Sequence, residues 1–164
     1  MKTTGVTTEN PRSTGGPVAG QRRRLSLRSV RGAVGKGRDF TRRTLRDWGW
    51  DGSESAEDAL LVVSELVSNA ALHAGGCHEL VLTAGQALRI DVLDGAPSAP
   101  RPLAGWRPGV PGGHGLHVVQ RLSDRWGSCT HGAGKSVWAE IEGSRLAGGG
   151  RRDPRWPPSD GHRG

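Results

Sequence analysis

The chain has 164 residues, 34% of them hydrophobic, with 27 glycines and a net charge of +7; this suits one domain of ordinary size flanked by polar tails. The charge is unevenly spread, with +9 on residues 1–50, −5 on residues 51–142 and +3 on residues 143–164. A nucleic-acid-binding core needs the opposite arrangement, so direct nucleic-acid binding is argued against, and no apolar run is long enough to span a bilayer.

Residues 1–21 are rich in Thr, Gly and Pro with almost no apolar content, and a disordered basic arm is expected over residues 1–24. "RRRLSLRSV" offers a short strand at Leu25 to Leu27. From residue 31 to 48, Ala33, Val34, Phe40, Thr44, Leu45 and Trp48 recur at mostly helical spacing. Gly32, Gly35 and Gly37 each weaken that helix by roughly 1 kcal/mol relative to Ala, and Gly49 ends it.

"DGSESAEDALLVVSELVSNAALHAGG" is the clearest helix. Ser53 or Ser55 caps it, acids crowd its first turn, and Gly75–Gly76 stop it. Leu61, Val62, Leu66, Val67, Ala70 and Ala74 make its apolar face. "HELVLTA" and "ALRIDVLDG" alternate with period two around Gly85–Gln86, the pattern of a β-hairpin. Residues 95–113, with five prolines, make a loop of a length usually reserved for function or disorder. An amphipathic helix follows in "HGLHVVQRLSDRWG", then a second hairpin from "RWGSCTH" and "KSVWAEIE". Residues 143–164 have the composition of a disordered tail. Helices and strands are segregated, which predicts an α+β fold: a two-layer sandwich with helices on one face of a mixed, mostly antiparallel sheet, spanning residues 25–142.

Three stretches carry chemistry. Glu65, Asn69 and His73 are spaced by four, so they share one stripe of a helix beside its apolar face. An amide oxygen is a hard ligand suited to Mg²⁺, and a glutamate one turn away can serve as a general base. A solvated helix edge is the alternative reading. Asp94 closes a strand just before Gly95, where a carboxylate can accept from an exocyclic amine such as adenine's; a turn aspartate is the alternative. Gly112, Gly113 and Gly115 precede a helix, and N–H groups exposed at such a start bind phosphate; a loop hinge is the alternative. A GxGK[ST] loop is absent, which excludes a Walker-type NTPase. His114 and His117 lack an evident third ligand, so a zinc site is not expected.

In this order, "ELVSNAALHA", "DVLDGAP" and "GGHGLHVV" resemble the N, G1 and G2 boxes of the histidine-kinase-like ATPase fold shared by gyrase and sensor kinases. "FTRRTLRDWG", "LVVSELVSNAALHAG", "GLHVVQRLSDRWG" and "GKSVWAEI" are similar to its anti-sigma-factor serine kinase branch. The resemblance implies ATP and Mg²⁺ as ligands. Asn69 would coordinate the Mg²⁺ bridging the phosphates, Glu65 would take the proton from the attacking hydroxyl or water, and His73 would lie near the phosphates. Asp94 would bind the adenine amino group beside Ala96, which stands where the family usually has glycine or a small polar residue. Gly113, His114, Gly115 and Leu116 would wrap the phosphates, with His114 where the family often has Arg, and Ser136 would help hold adenine. The resemblance further implies phosphorylation of a serine or threonine on an anti-sigma antagonist, sequestration of a sigma factor, and a homodimer through the first helices. A nucleotide-binding regulatory module with little or no kinase activity is the alternative. Two cysteines without a CxxC partner and no secretory pattern point to a cytoplasmic protein with free thiols.

Overall fold

The computed structural model describes residues 17–73, 76–95, 113–131 and 134–148. In chain order the elements are β1 (Arg22–Ser26), α1 (Ala33–Asp47), α2 (Glu54–His73), β2 (Glu79–Ala84), β3 (Ala87–Asp94), α3 (Gly113–Leu122), β4 (Arg125–His131), β5 (Gly134–Glu142) and α4 (Gly143–Leu146).

The strands form one sheet in the order β1-β2-β3-β5-β4. All four pairings are antiparallel, which refines the mixed sheet expected from sequence. A strand, a helix and a strand in succession usually yield a parallel pair. Here β3 and β4 do run in the same direction, since both are antiparallel to β5, but β5 is inserted between them.

Alternation on β3 sends Leu88, Ile90 and Val92 into the core, where Leu80 and Leu82 of β2 and Ala139 and Ile141 of β5 meet them. α2 lies across this face, with α1 on one side of it and α3 on the other. Its buried stripe is Ala59, Leu60, Val62, Val63, Leu66, Val67 and Ala70. Leu61, expected in the core, is instead 40% exposed; the helix presents Leu60 and Val63 inward and carries Leu61 on the same stripe as Glu65. Ser53 is the cap, its Oγ accepting the Ala56 N–H at 3.0 Å, whereas Ser55 is buried. At the other end Gly76, at φ 122°, donates its N–H to the Ala70 carbonyl.

Of the two glycines in α1, Gly35 faces open space and only Gly37 packs against neighbouring elements. Gly37 is buried against α2, and a Cβ there would stand 3.4 Å from Val63, 3.6 Å from Leu80 and 3.7 Å from Val67. The sheet's other face carries a charge ladder in which Arg89 bridges Asp91 and Glu140, and Arg125 bridges Glu140 and Glu142. Trp138 lies under the Arg89 guanidinium, 4.4 Å from ring centroid to charge.

Both ends of the domain extend past the boundaries expected from sequence. β1 starts at Arg22 rather than Leu25, and the Gly20 N–H already donates to the Ala84 carbonyl at 2.7 Å. Arginines sit comfortably on this edge strand: Arg23 reaches Asp47 at 2.6 Å and stacks over Trp48. The C-terminal tail expected from residue 143 begins instead with an ordered turn of helix. Leu146 of α4 is 1% exposed, and Arg145 bridges Asp124 at 2.7 Å and Asp58 at 3.8 Å. A single apolar residue and one arginine anchor this turn, too little to show as periodicity.

Candidate nucleotide site

The stripe on α2 runs along the rim of the core. Leu66, Val67 and Ala70 are buried beside it, while Glu65 and Asn69 are half-buried. His73 is the last residue of the helix. Leu61 and the 71% exposed Leu72 continue the rim outward. Polar groups placed this way are accessible on one side and shielded on the other, as a metal ligand or base requires.

Asp94 ends β3, and its carboxylate is almost fully withdrawn from solvent, with the side chain 2% exposed. It interrupts an otherwise apolar inward row of Leu88, Ile90 and Val92. A buried carboxylate needs partners. One is Lys135 of β5, whose Nζ lies 4.0 Å from Oδ2 and whose side chain is 12% exposed. The register places Lys135 directly across from Asp94, and Ser136 across from Leu93. Ser136 is buried, one residue further along β5, so the residue facing Asp94 in the ladder is Lys135, which the sequence did not single out. The signal was present in "GKS", but only the register decides which of two neighbouring residues meets a given partner across the sheet.

The surroundings of Asp94 are tight. Gly134 has no room for a side chain, because a Cβ would collide with the Asp94 carbonyl oxygen and stand 3.2 Å from the Gly95 Cα. A Cβ on Gly95 would in turn collide with the His78 ring. Cys77 is buried nearby. Desolvation pushes its thiol up to about 11, against the hydrogen bond it donates to the Glu79 carbonyl, and the Asp94 and Glu79 carboxylates push in the same direction as burial.

α3 opens with Gly113, His114 and Gly115 in its first turn, followed by the half-buried Leu116. Val119 is fully buried and fixes the helix against α2. Ala96 and most of the loop expected over residues 95–113 lie outside the described residues. The three box segments thus come from elements that pack on one side of one sheet: α2 across β3, and α3 beside α2. A groove of about 480 Å³ between β1 and α1, lined by Leu25, Lys36, Asp39, Arg42, Arg43 and Arg46, lies at the opposite edge of the sheet from β4 and takes no part in this arrangement.

A family model for the histidine kinase-like ATPase domain matches residues 28–141. The chain belongs to this family. No curated protein matches it. The matched span begins just after β1 and ends within β5, so it includes the α2 stripe, Asp94 and the start of α3. ATP is the nucleotide that membership in this ATPase family implies.

A divalent ion is compatible with the donor set only together with a nucleotide. Among the described residues no three His, Cys, Asp or Glu side chains are grouped to hold a metal. One amide oxygen from Asn69 suits Mg²⁺, which keeps several waters and takes substrate phosphates as its remaining ligands. Among the described residues no helix is long and apolar enough to cross a membrane.

Proposed function

We propose that the domain binds Mg·ATP and transfers its γ-phosphoryl group to a serine or threonine hydroxyl on a protein antagonist, as a regulatory kinase of the anti-sigma type that also sequesters a sigma factor. The observation that carries this reading is the half-buried Glu65–Asn69 stripe, held on the helix that lies across β3, the strand that ends at the buried carboxylate of Asp94. Asp94 accepts the adenine amino group. Asn69 offers its amide oxygen to the metal, which when bound neutralises phosphate charge. The N–H groups at the start of α3 face the phosphates.

Phosphoryl transfer asks little covalent chemistry of the protein. The hydroxyl oxygen forms a bond to the γ-phosphorus as the bond from that phosphorus to the β,γ-bridging oxygen breaks. The hydroxyl proton passes to the Glu65 carboxylate, and ADP leaves. Glu65 is half-buried, shielded enough to be positioned and exposed enough for a protein substrate to reach it.

Calorimetry of ATP binding with and without Mg²⁺, on the full chain and on Asn69→Ala, tests the site. The expected result is Mg²⁺-dependent binding that the variant loses. Absence of binding at millimolar ATP would refute the proposal. Glu65→Gln then tests transfer: it should abolish phosphorylation of the protein substrate while leaving ATP binding intact, and an unchanged transfer rate removes Glu65 from the role of base.

A further inference from the structure

We infer that Lys135 is a second nucleobase-reading group, its ammonium donating to N1 of adenine while Asp94 accepts from the amino group at C6. This rests on the assignment of Asp94 to the adenine site and adds to it the residue that faces Asp94 across the sheet.

Three observations carry the inference. First, β5 pairs with β3 so that Lys135 lies directly opposite Asp94, on the same strand end. Second, both charged groups are withdrawn from water, Lys135 to 12% and Asp94 to 2% of their side-chain exposure. A lysine ordinarily carries its ammonium out to solvent, and this one is kept in. Third, the two charges stop at 4.0 Å. That is close enough to attract strongly but beyond hydrogen-bond length, so the ammonium is held next to the carboxylate without being capped by that oxygen. The bare Gly134 immediately before Lys135 lets β5 approach the Asp94 backbone, which fixes the spacing of the pair.

An acceptor and a donor side by side match adjacent atoms of one purine edge. Adenine presents a donor at its C6 amino group and an acceptor at N1, complementary to Asp94 and Lys135 in turn. Guanine presents the reverse at the same two positions, a carbonyl acceptor at C6 and an N1–H donor. It would set oxygen against carboxylate and N–H against ammonium, leaving buried polar groups unpaired, and this is the circumstance in which a site discriminates strongly.

The test compares binding of ATP, 1-deaza-ATP (C–H in place of N1) and GTP to the full-length chain, and to Lys135→Met, which keeps the aliphatic stem. The wild-type protein should bind ATP at least tenfold more tightly than either of the others. Lys135→Met should bind ATP more weakly and lose the preference over 1-deaza-ATP, and Lys135→Arg should restore part of it. A lysine that only balanced the charge of Asp94 would, on removal, weaken ATP and 1-deaza-ATP equally and leave their ratio unchanged; that result overturns the inference. So does wild-type binding of ATP and 1-deaza-ATP with equal affinity, or tighter binding of GTP, while the adenine-site assignment survives equal ATP and 1-deaza-ATP affinities. Failure of the wild-type chain to bind any of the three overturns both.

Discussion

Replacing Arg145 with Met should cost the domain about 2 kcal/mol. The guanidinium contacts Asp124 at 2.7 Å and Asp58 at 3.8 Å, and the side chain is 15% exposed. At an effective dielectric of about 20, a 2.7 Å pair attracts by roughly 6 kcal/mol before desolvation. Desolvation takes back much of that. The Nε and Nη2 atoms of Arg145 are buried without hydrogen-bond partners, each an unrecovered cost that methionine would remove. The net effect therefore falls between the roughly 0.2–1 kcal/mol of an exposed pair and the roughly 3–5 kcal/mol of breaking a fully buried one. About 2 kcal/mol corresponds to a fall in Tm of about 6–8 °C for a domain of this size. Thermal unfolding followed by circular dichroism measures it. A double-mutant cycle with Asp124→Asn should return a coupling energy of at least about 1 kcal/mol. A Tm within about 2 °C of wild type would mean that Arg145 does not dock α4, and would refute the reasoning.

Gly134→Ala should destabilise the domain by about 1–3 kcal/mol through overpacking and weaken ATP binding with it, because the new methyl group meets the Asp94 backbone rather than a yielding side chain; unchanged calorimetric affinity would contradict this. Gly37 separates two effects. Gly37→Ala meets contacts of 3.4–3.7 Å, so the gain in helix propensity should leave stability equal or raised by about 0.5 kcal/mol, whereas Gly37→Leu should lose about 2 kcal/mol or more, both read from urea unfolding. The Cys77 thiol is raised from an ordinary 9.0 to about 11, so the unfolded chain loses this proton first as pH rises. Its contribution is fully present below pH 9 and is lost between pH 9 and 11, up to about 3 kcal/mol; Cys77→Ala should flatten the wild-type decline over that range. At pH 8 a thiol reagent should label the exposed Cys129 quickly and the buried Cys77 only on unfolding.

The parts legible in the sequence are those with a local period. α2 announces itself through its cap, its acidic first turn and its apolar stripe, and the two hairpins through alternation about short turns. The stripe of Glu65 and Asn69 was legible for the same reason, since a four-residue spacing on a helix fixes which side chains are neighbours. Asp94 was visible as an acid at a strand end, and the structure adds that it is the one charged side chain in β3's inward row. Features that depend on distant pairings were out of reach. β5 enters between β3 and β4 only in three dimensions, so neither the fully antiparallel sheet nor the partner of Asp94 could be read from strand order. Lys135 and Ser136 are neighbours in sequence, and a one-residue difference in register exchanges which of them stands opposite Asp94 in the ladder.

The same limit governed the chain ends. Composition averages over a segment, whereas docking needs only one well-placed residue. Leu146 sits in a glycine-rich stretch that reads as a tail, yet it is 1% exposed. The neighbouring Gly143 allows this, because a Cβ there would stand 2.8 Å from the Gln86 carbonyl oxygen and 3.2 Å from the Trp50 ring. Gly143, read from sequence as the start of a tail, and Gly134, in the second hairpin, are positions where another element comes too close for a side chain, whereas Gly37 has room for a methyl group and little more. In this chain glycine content marks close approach as well as open turns, and the tightest of those approaches, at Gly134, is the one that sets Lys135 opposite Asp94.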